Sequence, residues 1–180
     1  MTFKATLTAL LLTLSPALAE NLMVGGAAMY ADKTIVENAV NSADHTTLVA
    51  VVQTAGLVGT LQGKGSFTVF APTNAAFAVL PEGTVATRIK PENKDQLVRI
   101  LTCHVVAADA MADAIRRMVA DDKGMQPVKT VGGCEFTAMV SGDMVQIKDA
   151  IGGVATVTIA DVKQSNGVIH VIDRVLLPAM

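Results

Sequence analysis

The chain has no tryptophan, a single tyrosine and only 3% aromatic residues among its 180. With so few aromatic rings to stack on bases, and without a basic block, it makes a poor nucleic-acid binder. Its charge balance agrees: 14 Lys and Arg stand against 16 Asp and Glu, for a formal net charge of −2. Hydrophobic residues still make up 51%, so the core must be built from Val, Ile, Leu, Met and Ala. Met111, Met118, Met125, Met139 and Met144 follow no single spacing and read as core filler and loop residues. Past the first 20 residues, no apolar run approaches the roughly 20 that a spanning helix needs.

Those first residues, MTFKATLTALLLTLSPALAE, have the layout of a cleavable signal peptide. Lys4 supplies the positive start, Ala5 to Leu14 the apolar stretch, and Ala17-Leu18-Ala19 a small-x-small cleavage site. The expected organisation is a signal peptide over 1–19, an N-terminal segment over 20–29 and one domain over 30–180. The product is expected to be secreted or periplasmic, with no membrane span. In that oxidising setting the two cysteines, Cys103 and Cys134, are expected to pair. Such a bridge would close a loop of about 30 residues, contributing about 3 kcal/mol in the chain-entropy model. Two buried, unpaired thiols are the alternative, because spacing alone does not bring the Cα atoms together.

The front half is helical in pattern. A short helix is expected at TIVENAV, after Asp32, and a longer one at HTTLVAVVQTAGL, capped by Asp44 and stopped by Gly56. FTVF, residues 67–70, reads as a strand interrupted by Pro72. Thr73 or Asn74 then caps a helix ending at Pro81, and Pro91 starts another through ENKDQLVRIL. CHVV, residues 103–106, reads as a strand, DAMADAIRRMVA as a helix and DDKGMQP as a loop. From Val128 the period changes to two, and VKTV, CEFTAMV, MVQIK, ATVTIADV and VIHVIDRVLL alternate with Gly- and Asn-rich turns. A helical N-terminal half and a β-rich back half predict an α+β fold built on antiparallel sheet.

No catalytic constellation emerges from this pattern. His170 and Asp173 would point to opposite faces of one strand, so they cannot orient each other there. There is no G-x-S-x-G elbow. His45, His104 and His170 lie far apart and lack the spacings of a zinc site. GKGS at 63–66 lacks the upstream glycine of a phosphate loop and is a turn. No cofactor and no metal are expected.

Two segments are better defined than the rest: FTVFAPTNAAFAVLP at 67–81 and SNGVIHVIDRVLLP at 165–178. With LTCHVV at 101–106, they resemble the H1 and H2 motifs of the fasciclin (FAS1) domain family. The resemblance implies an antiparallel β-sandwich or wedge with helices packed along it. It also implies a non-enzymatic adhesion or attachment module that binds a cell-surface or extracellular matrix component, or another copy of itself. A periplasmic small-molecule or carbohydrate-binding protein is the alternative. Phe67, Val69, Phe77 and Leu80 are expected in the core. Thr73, Asn74, His104, Asn166, Gly167, His170 and Asp173 are expected to fix the motifs in place. The family's Tyr-His pair falls on Cys103-His104, without its tyrosine, and its Asp-Ile integrin step on Asp161-Val162. These make His104, Asp161 and Val162 the partner-binding candidates. For the cysteines, intact-mass analysis of the non-reduced protein should show a gain of about 2 Da on reduction, one hydrogen for each freed thiol; an unchanged mass would remove the bridge.

Overall fold

A computed structural model describes residues 21–63, 65–80 and 93–179. After a small hairpin of β1 (Met23–Val24) and β2 (Ala27–Ala28) come three helices: α1 (Ile35–Ala39), α2 (Thr46–Ala55) and α3 (Val58–Leu61). Strand β3 (Phe67–Pro72) leads into α4 (Asn74–Ala78), and α5 (Lys94–Cys103) into the two-residue β4 (Val105–Val106). Helix α6 (Ala112–Asp121) is followed by β5 (Gln126–Lys129), β6 (Glu135–Ser141), β7 (Met144–Lys148), β8 (Val154–Gln164) and β9 (Gly167–Ile172). The main sheet has the order β4-β3-β9-β8-β7-β6-β5. This is the α+β architecture expected, with the described helices concentrated in the N-terminal half.

One pairing departs from the antiparallel expectation. β3 and β9 run parallel, with Phe67 opposite Gly167 and Pro72 opposite Ile172. Both strands are buried along nearly their whole length rather than on alternate residues. That is the pattern of a parallel pair covered on both faces. On one face Val69, Ala71, Ile169 and Val171 pack beneath α1, α2, α3 and α5. On the other, Phe70 and Ile172 join Ile115 and Val119 of α6 with the inner residues of β6, β7 and β8.

Several expected boundaries move. Cys103 ends α5 and His104 is its C-cap, so the strand at CHVV shrinks to Val105–Val106. Strand β9 ends at Ile172, leaving Val175, Leu176 and Leu177 outside it. Asp44 does not cap α2; it lies in a 3-10 turn, Ala43–His45. Instead Asn74 Oδ1 accepts from the Thr47 amide at 2.9 Å, and Asn74 Nδ2 donates to the Ala43 carbonyl at 2.8 Å. Gly56 does end α2, in the left-handed conformation at φ 76°. Of the expected core residues, Val69 is buried whereas Phe67, Phe77 and Leu80 are partly exposed. Pro81 and Pro91 lie outside the described residues.

The sheet's two ends are brought together by α5 and the loop before β6. Cys103 and Cys134 form a disulfide, with Cα atoms 5.4 Å apart. Beside it the Val131 amide donates to the Val105 carbonyl at 2.8 Å, and the Gly132 amide to the Thr102 carbonyl at 3.0 Å. The contact is close enough to need glycine: a Cβ on Gly132 would sit 2.8 Å from the Cys103 nitrogen.

Gly167 is under a stronger constraint. At φ 154° its α-carbon lies against the Phe67 backbone, and a Cβ there would collide with the Phe67 carbonyl oxygen. Gly167→Ala should therefore cost more than about 2 kcal/mol, combining a strained backbone with a clash at the start of the parallel ladder. Urea unfolding of the purified variant measures this; a midpoint equal to wild type would show the ladder can shift freely.

Candidate functional site

The polar residues of the two motifs converge on the junctions around β3 and β9, and their hydrogen bonds turn inward. Thr73 caps α4 by accepting from the Ala76 amide at 3.3 Å. Asn166, buried, accepts from the Ile35 amide at 3.0 Å and donates to the Leu61 carbonyl at 2.7 Å. One side chain thus ties the turn before β9 to the start of α1 and the end of α3. Next to it, the buried Asn38 bridges the Tyr30 backbone and Gln164. Asp173, exposed, accepts from the Thr156 amide at 2.7 Å and fixes the strand end against β8.

His104 is 3% exposed and held at both ring nitrogens. Nδ1 lies 2.8 Å from the Ile100 carbonyl, and Nε2 accepts from the Leu176 amide at 2.9 Å. Those partners define the neutral tautomer with the proton on Nδ1. Burial pushes its pKa down to about 4, against the opposing effects of the Ile100 carbonyl and Asp149. Asp149 stands close by, accepting from the amides of Ile151, Gly153 and Leu177. Together His104 and Asp149 dock the irregular segment after β9.

His170, 1% exposed, is treated in the same way. Nε2 lies 2.7 Å from the Ala110 carbonyl, and Nδ1 accepts from the Asp161 amide at 3.2 Å. Its ring stacks on Phe70 with centroids 5.7 Å apart. Burial lowers its pKa, with the Ala110 carbonyl, Asp161 and Asp109 acting in opposition.

Asp161 and Val162, adjacent in sequence, have separate tasks. Asp161 adopts φ 59° at an irregularity in β8, and its Oδ1 accepts from the Ala112 amide at 2.7 Å. It therefore satisfies an open amide at the start of α6, whose own N-cap residue, Met111, makes no such bond. Val162 is 1% exposed and faces the helical core. Neither Val162 nor His104 offers surface to a partner, which corrects their placement as contact residues; Asp161 is only half-buried. Sequence reasoning missed Asn38, Gln164 and Asp149, buried polar residues whose roles exist only through contacts made by folding.

This arrangement has the chemistry of a scaffold: polar side chains spent on backbone groups and imidazoles held neutral. Among the described residues, no group of three His, Cys, Asp or Glu is placed to hold a metal. The fasciclin domain family model matches residues 43–178, and the chain belongs to that family. It is 45% identical over 161 residues to the Synechocystis protein sll1483, covering 89% of this chain and 82% of that one. It is 38% identical over 125 residues to the cell surface glycolipoprotein MPB83 of Mycobacterium bovis, covering 68% of this chain and 48% of the relative. The solved FAS1 domain pair of the insect cell adhesion molecule Fasciclin I has the same fold. It matches with a TM-score of 0.56 at 23% identity, over 72% of this chain and 43% of that one.

The neutral histidines give the fold an acid limit. An unfolded chain protonates His104 near 6.5, the native chain only near 4. Its contribution is therefore intact above pH 6.5 and is lost as pH falls toward 4, a change of about 3 kcal/mol. His170 and His45, also lowered, act in the same direction. Urea titrations at pH 7 and pH 4 should show this loss, reduced in a His104→Gln variant; equal stabilities at the two pH values would contradict a buried neutral ring.

Proposed function

We propose that the protein is a secreted or periplasmic, non-enzymatic attachment module. It binds a cell-surface or matrix component, or a second copy of itself, through its outer surface. The observation that carries this reading is the commitment of the motif residues. Thr73, Asn74, His104, Asn166 and His170 all spend their hydrogen bonds within the fold, and the one Ser–His contact at hydrogen-bond distance among the described residues, Ser42 with His45 at 2.9 Å, is buried away from solvent. The family supports the same reading, since its members named here include a cell surface glycolipoprotein and a cell adhesion molecule. No described helix is long and apolar enough to cross a membrane.

Asp161 is the partner-contact candidate that retains some exposure. Its bond to α6 makes it a positioning residue, so the contacts lie on side chains around it. Fluorescently labelled protein should attach saturably to matrix-coated or cell-coated wells. Asp161→Ala should attach equally well once melting curves show it folded at the assay temperature. Loss of attachment in a folded Asp161→Ala variant would make Asp161 a direct contact, and no saturable attachment to any coat would overturn the adhesion reading.

A further inference from the structure

Between α1–α3 and the sheet lies a cavity of about 80 Å³. Its walls are aliphatic, with Val52 from α2, Leu61 from α3, Val69 from β3, Val162 from β8 and Ile169 from β9. The polar side chains of the inner wall are spent within it. The Ser42 hydroxyl lies 2.9 Å from His45 Nδ1, and the Thr102 hydroxyl donates to the Val98 carbonyl at 2.8 Å. Among the described residues, no Asp, Glu, Lys or Arg lines the space. A buried water needs two to four polar neighbours, which such walls do not supply. Aliphatic cavities of about 150 Å³ stay dry and take in benzene, and this smaller one has room for the last few carbons of a hydrocarbon. Filling it restores the dispersion contacts that its lining atoms lack.

The cavity has a mouth. Exposed Gln53 and Thr60, together with Val131 at 47% exposure, line it, so the space reaches the surface. Val49, Gln53 and the C-cap Gly56 follow one another along one flank of α2 at helical spacing. A Cβ on Gly56 would lie 3.8 Å from Lys94 Nζ, at the start of α5. Lys94, Val98 and Thr102 form the matching row on α5, and Thr102 belongs to the cavity lining. The exposed Lys94 ammonium therefore stands beside an apolar opening. A dry aliphatic space that leads out past a positive charge matches a molecule with a hydrocarbon tail and an anionic head.

We propose that this cavity binds the end of a saturated acyl chain whose carboxylate stays at the surface near Lys94. A carboxylate drawn inside would leave water with no counter-charge in the wall, which fixes the direction of entry. Sugars are excluded, since their hydroxyls would find no partners there. The site is separate from the outer surface that carries the attachment reading, and either can fail without the other.

The test is an NMR titration of the full protein at pH 7 with octanoate, octylammonium and acetate in separate arms, following the methyl signals of Val52, Val69 and Ile169. Octanoate should shift these signals saturably, and acetate should leave them unmoved. Octylammonium, with the same tail and the opposite charge, should bind several-fold more weakly. Lys94→Gln, at an exposed position, should weaken octanoate binding about threefold, the scale of one exposed ion pair. Val52→Phe, which fills the cavity, should abolish the shifts at Val69 and Ile169; where that variant fails to fold, the three ligand arms and Lys94→Gln still decide. Absence of saturable octanoate shifts, equal shifts with acetate, octylammonium binding as tight as octanoate, unchanged octanoate affinity in Lys94→Gln, or undiminished binding to a folded Val52→Phe protein would each overturn the proposal.

Discussion

The parallel ladder between β3 and β9 is the contact on which the rest of the domain depends. It joins segments about a hundred residues apart and buries both strands on both faces. Each strand therefore serves two cores, one under the N-terminal helices and one against α6 and β6–β8. The ladder also explains its polar neighbours. A parallel pair cannot be joined by a short turn, so both strands need anchoring at their ends. Asn166 ties down the entrance to β9, Asn74 the exit from β3, and His104 the chain that follows β9.

Placing polar groups in such a junction is costly unless each finds a partner. His104 and His170 meet that requirement at both ring nitrogens, which is why burial leaves them neutral and quiet. His45 meets it at one nitrogen only. Three histidines that look alike in sequence thus divide by the completeness of their hydrogen bonding, a property of the packed interior.

Local signals carried much of the architecture. The β-rich run at 67–70, which the strand extends through Pro72, the Asn-Gly turn before β9, the αL glycine after α2 and the period-two stretches behind Val128 depend on neighbouring residues and could be read directly. Strand direction could not, because an apolar run has the same composition whichever way its partner runs. The apparent strand at Cys103 failed for a related reason: β-favouring residues there were overruled by the buried face of α5, which runs through Cys103. Caps supplied from a distance were equally hidden. Asp44 sat in the expected place for α2, yet Asn74, 27 residues away, bonds its amide; for α6 the donor is capped by Asp161, 49 residues distant. The cavity, made mainly of aliphatic side chains from helices and strands far apart in the chain, leaves no trace in sequence order.

Because β9 is inserted between β3 and β8, the middle of the sheet is the last part to be made. During synthesis the earlier strands wait as open edges for a partner that has not yet emerged. Contacts that span so much chain form slowly, since closing a long loop precedes any return from the pairing. The sheet therefore stays pliable until β9 is available to pair, and closes around that strand.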